Sequence, residues 1–231
     1  MKSIFLLIFS FAFAVSAFSQ SFIISDLSTL SDHVNVRKGD SNTLNGRNYE
    51  NIDGSPFLKE DFEKGVIAVN DSLSFKDVPL RYNILTDKIE FKDNKNQVLE
   101  INDQNQDYSF LIGQKQFKTA DYTYNNTTIR GVLEILVRGH VQLYKKYQVE
   151  FEPATKAIAY EDAKPDRFVS KDAEYFLAVD NEKPTEIKLN KKDIFSQLKQ
   201  FKPAIEKYAK AEKLKIKSEE DLVQLVQYCN R

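Results

Sequence analysis

Apolar and polar residues alternate with a period of two through the middle of the chain, the pattern of strands with one face buried. Residues 80–85 and 88–92 read as a hairpin with a two-residue turn at Thr86-Asp87. That turn sets Ile84 opposite Ile89 and Tyr82 opposite Phe91 on one face, with Asn83 opposite Glu90 on the other and Arg81 diagonal to Glu90. A slip of one residue exchanges the two faces, so the grouping of apolar with apolar residues selects the register.

Residues 129–137 and 141–151 repeat the logic through the turn Arg138-Gly139-His140. This pairing places Ile135 opposite Leu143, Gly131 opposite Tyr147 and Ile129 opposite Val149 on an inner face, the Tyr147 ring covering backbone that glycine leaves bare. Glu134 then lies diagonal to Lys146, and Arg130 to Glu150, on the outer face, as exposed pairs worth at most about 1 kcal/mol each. The same register turns Lys145 inward beside Leu133, so that end of the sheet is expected to be open to water rather than to supply a buried acidic partner.

Further strands are predicted at 66–69, 73–75, 98–101, 110–112, 116–124, 167–169, 175–179 and 186–189. Turn signals at Asn70-Asp71, 93–96, Asn125-Asn126 and 181–184 separate them. After Leu189 the period changes to about 3.6. Asn190 caps a helix bearing Ile194, Phe195, Leu198 and Phe201, Pro203 opens a second, and Ser218 caps a third in which Leu222, Leu225, Val226 and Cys229 form one stripe. The predicted fold is α+β: a mainly antiparallel curved sheet, sandwich or partly open barrel of about ten strands, with a C-terminal unit of three short helices packed on it.

The organisation follows as a signal peptide over 1–19, an N-terminal segment and loop over 20–64, the antiparallel region over 65–189 and the helical unit over 190–231. A lone Lys2, an apolar run from Ile4 to Val15 and the exit Ala17-Phe18-Ser19 carry the first of these. The run is about 12 to 14 residues, short of the roughly 20 that cross a bilayer, so no membrane span is expected after cleavage. Cys229 is the one cysteine, which leaves neither a lipid anchor at the new N-terminus nor an internal disulfide. The expected location is periplasmic or secreted, not that of a lipoprotein.

The stretches Gly54-Ser55-Pro56-Phe57-Leu58, Leu80-Arg81-Tyr82-Asn83, Leu143-Tyr144-Lys145-Lys146, Glu161-Asp162-Ala163-Lys164-Pro165 and Glu220-Asp221-Leu222-Val223 resemble those of uncharacterised exported β-rich proteins of Bacteroidota. The resemblance implies an envelope setting and brings no activity or functional residues with it.

Charge changes the picture at one end only. Residues 183–231 carry 12 basic and 7 acidic side chains, whereas 20–182 carry 20 and 27, so a basic tail follows an acidic body. The overall balance gives no pull toward nucleic acid, and none is expected as a partner.

Candidate chemistry is thin. There are two histidines, His33 in the polar N-terminal segment and His140 in a turn, and both read as solvated; the third helix buries the Cys229 thiol. No G-x-S-x-G elbow occurs. Asp103-x-Asn105-x-Asp107 has the spacing of the first half of a calcium loop, but Tyr108 stands where that loop needs glycine and Gln114 where it needs glutamate, so a plain polar turn is expected. Carboxylate pairs such as Glu90 with Glu100, or Asp61 with Glu63, are too common to single out. No catalytic, cofactor or metal residues are assigned, and no cofactor is expected.

Three functions are carried forward. The first is a non-enzymatic envelope protein that binds a macromolecular partner. The second is a periplasmic carrier of a lipid or other apolar ligand in a sheet cavity, with Tyr82, Phe91, Lys145 and Tyr147 as lining candidates. A carboxylate-based hydrolase is third.

Overall fold

In a computed structural model, which describes residues 22–24, 27–38, 43–44, 47–69, 73–157 and 162–231, the alternating segments join into one twelve-stranded, mainly antiparallel sheet followed by C-terminal helices. The signal peptide expected over 1–19 and the Asn70-Asp71 turn lie outside the described residues. The elements are β1 (Phe22–Ile24), α1 (Leu30–His33), β2 (Val36–Lys38), β3 (Thr43–Leu44), β4 (Arg47–Asn48), β5 (Glu63–Val69), β6 (Leu73–Asn83), β7 (Lys88–Lys92), β8 (Val98–Ile101), β9 (Tyr108–Ile112), β10 (Lys115–Tyr124), β11 (Thr127–Val137), β12 (Val141–Glu152), β13 (Arg167–Val179), β14 (Thr185–Ile187), α2 (Lys191–Gln197), α3 (Lys202–Ala211) and α4 (Glu219–Cys229). Strands β3 and β4 pair apart from the main sheet. Among the described residues no helix is long and apolar enough to cross a membrane.

The sheet has two parts that share β10. Strands β10 to β14 close into a ring, because β11, β12, β13 and β14 follow one another and both β11 and β14 pair with β10. From β10 an open arm runs through β9, β5, β6, β7 and β8 to β2. The edge of β10 that faces away from β11 is divided: Lys115–Lys118 pair with β9, and Thr123 pairs with Thr185 of β14.

Alternation sorts the ring's residues. Tyr144, Phe176 and Ala178 meet Ala120, Tyr122 and Leu133 in one cluster, while Val141, Leu143, Tyr175 and Leu177, out of phase with them, pack under the helices. Asn190 Oδ1 accepts the Asp193 amide at 2.9 Å and Ser218 Oγ accepts the Asp221 amide at 3.3 Å, the two caps read from the sequence. Leu222, Leu225 and Val226 are fully buried, each contributing roughly 1.5 to 3 kcal/mol of burial. A third core lies inside the arm, built on Ile67, Phe75, Leu80, Ile89 and Phe91.

Both hairpin registers differ from expectation. In β6–β7, Leu80 faces Phe91, Arg81 faces Glu90 and Tyr82 faces Ile89, with a four-residue turn over 84–87. The shift is of two residues, so each side chain keeps its face. The polar face is nevertheless buried, because the 54–62 loop lies over it: the Leu58 amide donates to Tyr82 O at 3.0 Å and the Phe57 ring sits 3.5 Å from the Arg81 guanidinium.

In β11–β12, Glu134 faces Lys145, Ile135 faces Tyr144 and, past a bulge, Val137 faces Leu143. At Glu134 and Ile135 the shift is odd and exchanges faces, whereas past the bulge, toward the turn, it is of two residues and Val137 and Leu143 keep theirs. The exchange enters at the bulge between Ile135 and Val137, and the turn end of β12 is held from a distance: the Asn230 side chain, just beyond α4, accepts from the Val141 amide at 2.8 Å and donates to Val141 O at 2.8 Å. Tyr147 therefore does not cover Gly131. Two further expected strand pairs, 73–75 with 80–85 and 167–169 with 175–179, each run on as a single strand.

Candidate functional site

Charged residues within the apolar strands β6, β11 and β12 converge where the arm leaves the ring. The β6–β7 turn carries Asp87 with φ of 55°, a left-handed conformation that aspartate tolerates, and this aims its carboxylate at β11 and β12. There it ion-pairs with Lys146, accepts from the Tyr82 hydroxyl at 2.8 Å and accepts from the Val132 amide at 3.3 Å. Lys146 also donates to Val132 O at 3.2 Å and is nearly enclosed. Burial lowers its pKa, opposed by Asp87, while burial and then Asp87 push the Tyr82 phenol well up. A Cβ on Gly131 would collide with the Asp87 carboxylate, so a larger residue there must displace it.

Lys145 and Tyr147 point the opposite way from Lys146. Tyr147 donates to Glu134 Oε2 at 2.5 Å, and Lys115 donates to Glu134 Oε1 at 2.7 Å and to the Tyr147 hydroxyl at 2.9 Å. Lys145 binds Glu219, the first residue of α4, at 2.6 Å, and Tyr175 donates to the same carboxylate at 2.8 Å. The expectation that Lys145 meets water is thus corrected: its Nζ has an acidic partner from the helical unit, which no local pattern in β12 announces. Glu134, expected outside and diagonal to Lys146, is buried and faces Lys145.

Beside this network opens a cleft of about 650 Å³. Leu58, Leu80, Tyr82, Ile112 and Phe117 line it together with the charged Lys59, Asp61, Glu63, Arg81, Lys115 and Glu134. Of the four lining candidates read from the sequence, Tyr82 lines the cleft, its ring edge-on to Tyr147 at 6.4 Å, and Tyr147 and Lys145 adjoin through Lys115 and Glu134. Phe91 is 1% exposed and belongs to the core of the arm. Sequence reasoning missed Lys115, Glu134, Asp87 and Lys146, whose signal was a charge in the middle of an apolar strand or at a tight turn.

Most of the remaining candidates are held by ordinary ion pairing. Glu90 and Glu100 face each other on β7 and β8, but Arg81 holds Glu90 at 2.6 Å and Arg37 holds Glu100 at 2.6 Å, forming a cross-strand row of Arg81, Glu90, Glu100 and Arg37. Glu63 is held by Lys59 at 2.8 Å. At Asp103-x-Asn105-x-Asp107 the place of a cation is taken by Arg130, which donates to Asp103 O at 2.5 Å, Gln106 O at 2.8 Å and Asp107 Oδ1 at 2.5 Å, while Lys88 meets Asp103 Oδ1 at 2.5 Å. Arg130 thus serves this loop and Asp121 rather than Glu150. Among the described residues no group of three or more His, Cys, Asp or Glu is placed to hold a metal ion. His140 pairs with Asp180 at 2.5 Å, and Cys229 is a half-buried free thiol.

The helical unit presents a second feature, a basic groove of about 600 Å³ between α2 and α3. It is lined by Lys191, Lys192, Phe195, Ser196, Lys199, Lys202 and Glu206. Compared with protein-family models, curated proteins and solved structures, the chain finds no match, so its function is argued from this geometry.

Proposed function

We propose that the protein is an exported, non-enzymatic envelope protein that holds an acidic macromolecular partner against its C-terminal helical unit. One observation carries the reading, an unequal use of charge. Of the carboxylates in 183–231, five are engaged by the protein itself: Glu186 accepts from the Asn125 amide, Asp193 from the Lys188 amide and Asp221 from the Lys215 and Ile216 amides, while Glu206 meets Lys202 and Glu219 binds Lys145. The lysines stay outward. Lys191, Lys192 and Lys199 are exposed, and none has a carboxylate within 4.0 Å among the described residues. Lysines clustered with few carboxylates among them raise the local potential and draw an oppositely charged partner. Site-specific photo-crosslinking in cells from Ser196, between the lysines, tests the reading. A discrete adduct lost in the double variant Lys191→Glu and Lys199→Glu supports it, and an adduct unaffected by the reversal refutes it.

A second reading, a carrier of a lipid or similar amphiphile, is favoured by the cleft, whose apolar floor of Leu58, Leu80, Ile112 and Phe117 lies beneath the ammonium of Lys115. Native mass spectrometry of protein taken from its own envelope, with titration of a fluorescent fatty acid, tests it. Absence of both a co-purifying molecule and binding rejects it.

A further inference from the structure

We infer that the groove between α2 and α3 takes a linear acidic polysaccharide, a chain of uronate-type sugars, an assignment that rests on the proposed role of the helical unit and specifies its partner. Lys191, Lys192, Phe195, Ser196 and Lys199 fall on one face of α2 and its continuation, and Lys202 extends the row onto α3. At about 1.5 Å per helical residue the row is on the order of 15 Å long, the length of a few sugar rings. Among the described residues the only acid lining it, Glu206, is 3.8 Å from Lys202.

The chemistry separates this occupant from others. A peptide that docks by strand addition needs a sheet edge, and the groove walls are helices that offer none. A helical peptide needs an apolar stripe, and here one half-buried ring, Phe195, lies among lysines. Insertion into a membrane needs a broad apolar helix face, yet Ile194 and Leu198 are fully buried against the ring of strands. A sugar chain asks only for what the groove has. Its carboxylates meet point charges of lysine, which demand no bidentate geometry, and the apolar face of one ring rests on Phe195.

Isothermal titration of the purified protein with an oligogalacturonate, a neutral oligosaccharide of equal length, a poly-glutamate peptide and anionic phospholipid vesicles tests the assignment. The oligogalacturonate is expected to bind, the neutral chain not to bind, and affinity to fall at least tenfold in the Lys191→Glu, Lys199→Glu variant and several-fold in Phe195→Ala, with circular dichroism unchanged. Tighter binding of poly-glutamate or vesicles overturns the polysaccharide while leaving an acidic partner in place. Failure of all anions to bind, with the Ser196 adduct still lost on charge reversal, also overturns the polysaccharide alone. Oligogalacturonate binding that is indifferent to the charge reversal overturns the groove as its site.

Discussion

Asp87 at the tip of the β6–β7 turn and Lys146 in the middle of β12 form the ion pair that fastens the open arm to the closed ring. The lysine side chain is 8% exposed and the aspartate 26%, so water reaches one side of the pair only. Removing one partner leaves a charge stranded in the interior.

Asp87→Ala is therefore expected to cost about 3 kcal/mol in urea denaturation, toward the low end for a buried pair because one side is wet. Gly131→Ala is expected to cost a similar amount, about 3 kcal/mol, by pushing the same carboxylate away. If both substitutions prove neutral, the pair does not couple arm and ring.

Glu219 ties α4 to the ring and should make that attachment sensitive to acid. Burial alone would raise its carboxyl, but the bonds from Lys145 and Tyr175 outweigh burial and hold it below the ordinary glutamate value. A lowered folded value means that the contribution is present above the unfolded value and is lost as pH falls through the folded one. The difference in urea midpoint between the natural protein and Glu219→Gln should be full at pH 7 and shrink toward pH 3. A difference that stays constant over this range contradicts the assignment.

Cys229 should be slow to alkylate. Burial pushes its thiol up to about 11, so at pH 8 the folded protein holds roughly a hundredfold less thiolate than an unfolded chain. Because the folded value is raised, the neutral thiol's contribution to stability holds below the unfolded value and declines as pH rises past it. Iodoacetamide labelling followed by mass spectrometry, with and without urea, measures the ratio. Equal rates would show the thiol exposed.

Arg130 fills the aspartate loop that resembles half a calcium site. Neither calcium nor a chelator should move the thermal midpoint, whereas Arg130→Ala should lower stability by about 2 kcal/mol through lost bonds to charged and carbonyl oxygens. A calcium-dependent rise in the midpoint of the natural protein would reverse this conclusion.

The sequence was legible where a local pattern decides the outcome. Alternation located the strands, and Asn190, Pro203 and Ser218 marked the helices. It was illegible where distant residues decide. Nothing near β12 says that Asn230 holds its turn end or that Glu219 awaits Lys145, and nothing in β6 says that Phe57 will roof Arg81. The site suffers most from this, since each of its charges is explained by a partner from another element. Phe91 lies on the expected face but deep in the core of the arm, because the period of a strand reports direction and not distance from the surface.

The divided edge of β10 has a further consequence for how the molecule is cut. One strand belongs to both halves, so a fragment ending before Lys115 leaves β9 paired with β5 alone, and one starting there exposes the same hydrogen-bonding groups from the other side. Protease nicking or gene truncation at this seam should yield two unfolded pieces rather than two modules, and heating should melt the whole in a single transition.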